Sequence, residues 1–304
     1  LEIGFGGSSR IPNGSIDQIR IYNSALSATN VTTLYNEIEC PAVAVTNAFN
    51  TVLYTGNGSI RSITGVGFEP DLVWIKKRSS ASTGDHMLFD SVRGVDKVII
   101  SNSTQAEYNG GGSGYQTSFD SDGFSITSNA FVNQSSATYV AWNWKAGGTA
   151  VSNTDGTITS QVSANVDAGF SIVSYTGENA ARTVGHGLSS APEMVIIKNL
   201  DDARNWMVWQ LNLSASSYLH LNLSDSEATD TRTNGGQPRP FGPFTSTTFG
   251  VNIDNETGYT NDYIAYCFTS IPGYSKVGSY TGTGASGNSI YTGFQTSYVM
   301  TKNI

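Results

Sequence analysis

The feature that most constrains this 304-residue chain is an internal repetition whose spacing is far too long for solenoid or propeller units. The segment TVLYTG at Thr51–Gly56 returns as SIVSYTG ending at Gly177 and as KVGSYTG ending at Gly282, steps of 121 and 105 residues. A second block follows each copy in the same order: EPDLVWIKK at Glu69–Lys77, APEMVIIKN at Ala191–Asn199 and QTSYVMTKN at Gln295–Asn303. A third block, TYVAWNWKAGG at Thr138–Gly148, matches DYIAYCFTSIPG at Asp262–Gly273, and the third copy reaches Ile304 before one appears. Repeats of this length are whole small domains. The expected organisation is a short distinct module over 1–41, a first repeat over 42–168, a second over 169–273 and the start of a third over 274–304, strung like beads. The chain also begins without Met inside a Gly-rich, strand-like stretch, so a longer parent polypeptide is expected.

Within a repeat the signal is strand: short alternating or β-branched runs bounded by Gly, Asn, Asp and Pro, with helical periodicity almost absent. The first repeat predicts strands over 52–54, 59–63, 71–76, 86–90, 97–101, 114–119, 124–127 and 138–144. In the last of these Val140, Trp142 and Trp144 share one face. Many short strands with turn signals between them give an all-β fold of tandem antiparallel β-sandwich or jelly-roll domains with very little helix. The N-terminal module differs. It predicts a strand over 16–22 and then a short helix, with Ser27 as N-cap and Val31, Leu34 and Tyr35 packing back on the sheet.

Composition narrows the partners. Charged residues make up 13% of the chain and aromatics 11%, and 38% hydrophobic content supplies the apolar surface that disordered chains lack. Sixteen Lys and Arg against 24 Asp and Glu give a net charge of −8, the opposite of a nucleic-acid binder. No apolar run reaches the ~18 residues of a membrane-spanning helix, and no signal peptide opens the chain. Cys40 and Cys267 make neither a disulfide framework nor a zinc site.

No catalytic constellation stands out. His86, His186 and His220 share no metal-ligand or triad spacing with one another or with carboxylates, and GGGSG at Gly110–Gly114 lies in a helix-free region. The expectation is a protein that is not an enzyme and has no resident cofactor. Two sets of residues are kept as candidates. Asp120 and Asp122 in FDSDG could contribute oxygens to Ca²⁺, although Asp beside Gly is also ordinary hairpin-turn chemistry; Asp254 and Glu256 in NIDNETG invite the same two readings. Trp206 and Trp209 lie among polar residues and are candidate glycan contacts, whereas Trp142 and Trp144 read as core.

Two resemblances add to this. The segment from Gly14 through Ile16, Asp17, Arg20, Ile21, Tyr22, Asn23, Ala25 and Leu26 to Leu34 and Tyr35 resembles the closing strand and helix of laminin-G-like, concanavalin-type jelly rolls. The glycan and calcium loops of that superfamily lie outside this segment. The repeats resemble a domain of tail-fibre and other virion structural proteins of marine bacteriophages, on VLYTGNGSIRSITGVGFEPDLVWIKKR, LFDSVRG, SFDSDGFSITS and YVAWNWKAGG in the first copy. The second copy keeps YTG, APEMVIIKN, TTFGVNIDN and YIAYCF but shows no LFDSVRG near Trp206–Leu211. The resemblance implies a structural virion protein, a segment of a tail fibre or capsid-attached fibre on the virion surface. It would act as spacer and host-contact surface, with other virion subunits as partners, and would form a homo-oligomer, by analogy a trimer. Alternatives are a carbohydrate-binding adhesin that docks host surface glycans and a subunit of a bacterial surface filament.

Overall fold

Two of the three sequence repeats fold to the same topology. The computed structural model describes residues 25–28, 45, 47–79, 84–110, 114–213, 216–230, 233–234, 237–238 and 241–304. The strand expected over 16–22 and helix residues Val31, Leu34 and Tyr35 lie outside them. Residues 1–41 and 42–304 are separate units, and every strand among the described residues belongs to the second.

The first repeat supplies β1 (Phe49–Thr55), β2 (Arg61–Thr64), β3 (Leu72–Lys77), β4 (His86–Asp90), β5 (Lys97–Ile100), β6 (Tyr108–Asn109), β7 (Gln116–Asp120), β8 (Gly123–Ile126), the four-residue helix α1 (Ala130–Asn133) and β9 (Thr138–Trp144). Then come β10 (Val151–Asn153), β11 (Ser160–Asn165), β12 (Phe170–Thr176), β13 (Arg182–Gly185), β14 (Met194–Asn199), β15 (Met207–Gln210), β16 (Ser217–His220), β17 (Ala228–Thr229), β18 (Thr233–Asn234), β19 (Gln237–Pro238), β20 (Phe241–Phe244), β21 (Thr248–Val251) and β22 (Asp262–Phe268). The first repeat stacks a six-stranded sheet, β1-β9-β3-β4-β5-β6, on a three-stranded one, β2-β8-β7. The second reproduces both orders as β12-β22-β14-β15-β16-β17 and β13-β21-β20, and adds β10 and β11 outside β12. The named strands pair antiparallel, so the fold is all-β, as the turn-punctuated pattern predicts. All eight strands expected in the first repeat are present, with ends shifted by three residues or fewer. The added pieces are β6 and α1, too short to leave a periodic signal; α1 is capped by Asn129 Oδ1, which accepts from Phe131 N at 3.0 Å.

The recurring blocks have a physical reason. Tyr54 stacks on Tyr139 with centroids 5.0 Å apart, and Tyr175 on Tyr263 at 5.2 Å. Tyr54 Oη donates to Val132 O, in α1, at 2.7 Å and Tyr175 Oη to Thr257 O at 2.6 Å, which ties the first strand of each sandwich to the connection before its last. The glycine two residues on lies so close to that connection that a Cβ would overlap a carbonyl oxygen, of Gln134 at Gly56 and of Tyr259 at Gly177. Block two is tied to block three in the same way. Asp71 Oδ2 accepts from Ala146 N at 2.7 Å, and Glu193, its counterpart, accepts from Ser270 Oγ.

Each sandwich has its own core, Val73, Ile75, Phe89, Phe124 and Tyr139 in the first and Val173, Tyr175, Val195, Phe249 and Tyr263 in the second. A third core lies between them. The outward faces of the two large sheets pack on each other through Leu72, Trp74, Leu88, Ile99, Trp142 and Trp144 on one side and Ile172, Ile196, Trp206, Val208, Leu219 and Tyr266 on the other. β3 is therefore buried on both faces, which is why Leu72, Val73, Trp74 and Ile75 are contiguously apolar. Equivalent positions meet: the registers match Leu72 with Met194, Trp74 with Ile196, Leu88 with Val208, Trp142 with Tyr266 and Trp144 with Phe268, all in this seam. The expected beads are thus joined broadside, and residues 42–304 form one compact unit.

The third copy builds no strand over 274–304. Its Tyr280 is 54% exposed and Gly282 meets nothing, so the contacts that fix YTG in the folded repeats are not made. Tyr298 packs on the seam's rim, 5.5 Å from both Trp142 and Trp144.

The seam makes the two sandwiches one cooperative unit. Trp144→Ala is expected to cost about 3–5 kcal/mol, and denaturation followed by tryptophan fluorescence and by circular dichroism should give one coincident transition in wild type and variant alike. Two separated transitions in the wild type would refute the shared core.

Candidate functional site

At the heart of the seam is a buried charge cluster built by LFDSVRG. β4 ends at Asp90 and the chain reverses through Ser91–Gly94, where Gly94 takes φ 94° and donates to Asp90 O at 3.1 Å. Asp90 Oδ1 accepts from Arg93 N at 2.9 Å and Oδ2 from Arg93 Nε at 2.6 Å, which folds the guanidinium back beneath the sheet. Arg93 Nη1 donates to Glu107 Oε2 at 3.0 Å, and Lys97 Nζ to Glu107 Oε1 at 2.8 Å. The Arg93 and Asp90 side chains are 3% and 0% exposed. Burial by itself disfavours the charged guanidinium, but the Asp90 carboxylate, Tyr266 and Glu107 outweigh it and leave the Arg93 pKa above its ordinary value. The second repeat closes the cluster with Tyr266 Oη, which donates to Asp90 Oδ2 at 2.7 Å. Burial and the adjacent Asp90 charge push that phenol well above its ordinary pKa, so it remains a donor. By register the second repeat has Gln210 where the first has Asp90, with no charge to pair, which is why LFDSVRG has no second copy.

Three further bonds cross the seam. Trp206 Nε1 donates to Ile100 O at 2.8 Å, Glu107 N to Leu200 O at 2.8 Å, and the buried Lys198 Nζ to Thr104 O at 3.2 Å. Lys198 also reaches the carbonyls of Asn199 and Arg204, and burial lowers its pKa to about 8.

Beside the charge cluster the sheets part and leave an open cleft of about 410 Å³. Its floor is the continuation of the second repeat's seam face, which changes from apolar at Phe170 and Ile172 to polar at Ser174 and Thr176 along β12. Gln161 on β11 lies opposite Ser174, and Asp262 on β22 lies opposite Thr176, whose Oγ1 donates to Asp262 Oδ1 at 2.6 Å. Val92, Arg93, Glu107 and Leu200 form the wall.

The residues singled out from sequence lie elsewhere. Asp120 Oδ1 and Oδ2 accept from Ser118 Oγ and Ser125 Oγ, both at 2.7 Å, along the β7–β8 hairpin. Asp122 accepts from Gly65 N at 3.1 Å and Gly67 N at 2.6 Å, which draws its pKa down. The oxygens of both carboxylates are thus engaged by hydroxyls and amides of the first repeat, in the manner of hairpin-turn residues. No group of three or more His, Cys, Asp or Glu that could hold a metal occurs among the described residues. Trp206, expected as a glycan contact, is 0% exposed and forms part of the seam, so a sugar cannot reach it. Trp209 is half-buried with one face stacked on Phe244, 3.6 Å between centroids, and is not an open platform either. Asp254 and Glu256 form a turn in which Asp254 Oδ1 accepts from Glu256 N at 2.8 Å; burial and the hydrogen bond and charge of Asp254 push the Glu256 carboxyl up to about 7. Each histidine is engaged locally, His86 with Trp74 Nε1, His186 with Leu188 N and Thr245 O, and His220 with Asp225. Sequence pattern does not reveal the cleft, whose residues are far apart along the chain, nor that Tyr266 closes on the cluster of Asp90, Arg93, Lys97 and Glu107; the Asp and Arg of LFDSVRG are the available signal.

The model of a family described as "Domain of unknown function (DUF7483)" matches residues 44–304. The chain belongs to that family. The matched span runs through both repeats and the segment after them, as does the compact unit at 42–304. No curated protein and no solved structure matches the chain. No helix among the described residues is long and apolar enough to cross a membrane.

Arg93→Met would strand Asp90 in the seam and should destabilise the chain by about 3–5 kcal/mol, whereas Tyr266→Phe, which removes one hydrogen bond, should cost about 1–2 kcal/mol. Urea titration at fixed pH reads both, and equal losses would refute the ranking. Glu256 gives a pH dependence. Its carboxyl keeps a proton in the folded chain up to about pH 7, while the unfolded chain releases it near the ordinary value of 4.5, so rising pH favours unfolding across that window. With solvent screening allowed for, the loss is on the order of 1 kcal/mol, and Glu256→Gln should flatten this part of the stability–pH curve.

Proposed function

We propose that residues 42–304 are a non-catalytic structural element of a bacteriophage virion, a stiff segment of a tail fibre or capsid-attached fibre that spaces and presents surfaces to the host. The observation that carries this reading is the seam: two sandwiches of identical topology fused broadside through a third core and pinned by Asp90, Arg93, Glu107 and Tyr266. A joint of this kind resists bending between the repeats, because any opening exposes both an apolar face and buried charges to water. That is what a spacer needs, and the resemblance of the repeats to marine phage virion proteins supplies the setting. Low charge and paired strands supply rigidity without disulfides, and the net negative charge favours solubility. In this setting the partners are other virion subunits and further copies of the chain, by analogy in threes, at the virion surface.

Electron cryo-microscopy of the native particle that carries the chain tests this. An appendage on capsid or tail whose density accepts the two-sandwich body is the expected result. Density only in a cell-surface filament would replace the virion reading with the bacterial filament, and release of reducing sugar from host polysaccharide by the purified chain would overturn the non-catalytic assignment.

A further inference from the structure

The cleft beside the charge cluster is made of groups that have no structural need to be there. Along β12 the seam face changes from Ile172, covered by the first repeat, to Ser174 and Thr176, which are not. Directly across on β11 is the exposed Gln161, with Thr159 two residues before it on the same face. The side chains of Thr159, Gln161 and Ser174 make no hydrogen bond among the described residues, so hydroxyl donors and acceptors and a carboxamide with two donors and an acceptor stand open to the cleft. Asp262 Oδ1 is taken by Thr176, and the carboxylate keeps acceptor capacity at Oδ2. At about 410 Å³ the cleft falls within the range of ligand sites.

We infer that this cleft binds a segment of neutral oligosaccharide. The open groups match vicinal hydroxyls, which donate to Asp262 and accept from Gln161 and Ser174, while Val92 and Leu200 on the wall face the apolar C–H surface of a sugar ring. Charge selects against anions. The guanidinium in the wall, Arg93, is saturated by Asp90 and Glu107, and Asp262 leaves the floor negative, so a phosphate or uronate finds no free cation among the residues that line the cleft. The site uses neither Trp206 nor Trp209, and it stands or falls independently of where in a particle the chain resides.

The test is isothermal titration calorimetry of the full chain with maltotetraose, mannotetraose and galactotetraose, and with tetragalacturonate as the anionic counterpart. At least one neutral tetrasaccharide is expected to bind and tetragalacturonate is not. Gln161→Ala and Ser174→Ala change solvent-facing groups and should each weaken binding several-fold, about tenfold or more together. Ser174→Phe, which fills the cleft, should abolish it. Circular dichroism and the unfolding midpoint check that each variant is folded, and Leu53→Ser on the exposed edge of β1 serves as the control that leaves binding unchanged. No binding of any neutral probe at millimolar concentration, binding indifferent to the cleft variants, or preference for the uronate would each overturn the inference.

Discussion

Everything in this structure depends on one constraint: the large sheet of each repeat is apolar on both faces and cannot stand alone in water. One face is covered by the repeat's own small sheet. The other, carrying Trp74, Trp142 and Trp144 in the first repeat and Ile196, Tyr266 and Phe268 in the second, is covered by the neighbouring repeat. Burial of aromatic side chains of this size contributes several kcal/mol in all, and the hydrogen bonds that cross the seam fix how the faces sit. An apolar interface alone tolerates sliding; the bonds from Tyr266 to Asp90, from Trp206 to Ile100 and from Glu107 N to Leu200 O do not, because displacement leaves their buried polar groups without partners.

Much of the fold is legible in the chain. The repeats, the eight strands of the first copy and the all-β class follow from local alternation and turn residues, and local alternation is what a hairpin-rich antiparallel sheet imposes. What local pattern does not carry is which core an apolar face joins. Trp142 and Trp144 share a face, and that much is readable; that the face belongs to an inter-repeat seam is decided by residues about a hundred positions away. The uninterrupted apolar run in β3, with Ile75 and Trp74 on opposite sides, is the available clue to burial on both faces.

The candidate site is less legible for the same reason. Trp206 reads as exposed because Asn205 and its neighbours are polar, yet it plugs the seam, whereas Gln161 and Ser174 look like ordinary strand residues and open onto a cleft. Asp120 and Asp122 have the composition of a cation loop and the geometry of a hairpin, since serine hydroxyls and glycine amides nearby use their oxygens. Block two also carries a quieter common device. Lys76, Lys198 and Lys302 occupy one position in the three copies, and each ammonium reaches a backbone carbonyl, of Gly84, Asn199 and Leu223 respectively.

Equivalent faces meet across the seam, so each repeat's outward sheet face is covered by its neighbour's. Each repeat has one docking face and spends it on its neighbour, so its valence is one. Tandem copies of this unit are therefore used up two at a time, and an odd copy has no sheet face left to dock on. The strand-free segment over 274–304 shows what such a copy does within these residues: it lies along the closed pair and lends it Tyr298 at the rim and Lys302 on the Leu223 carbonyl.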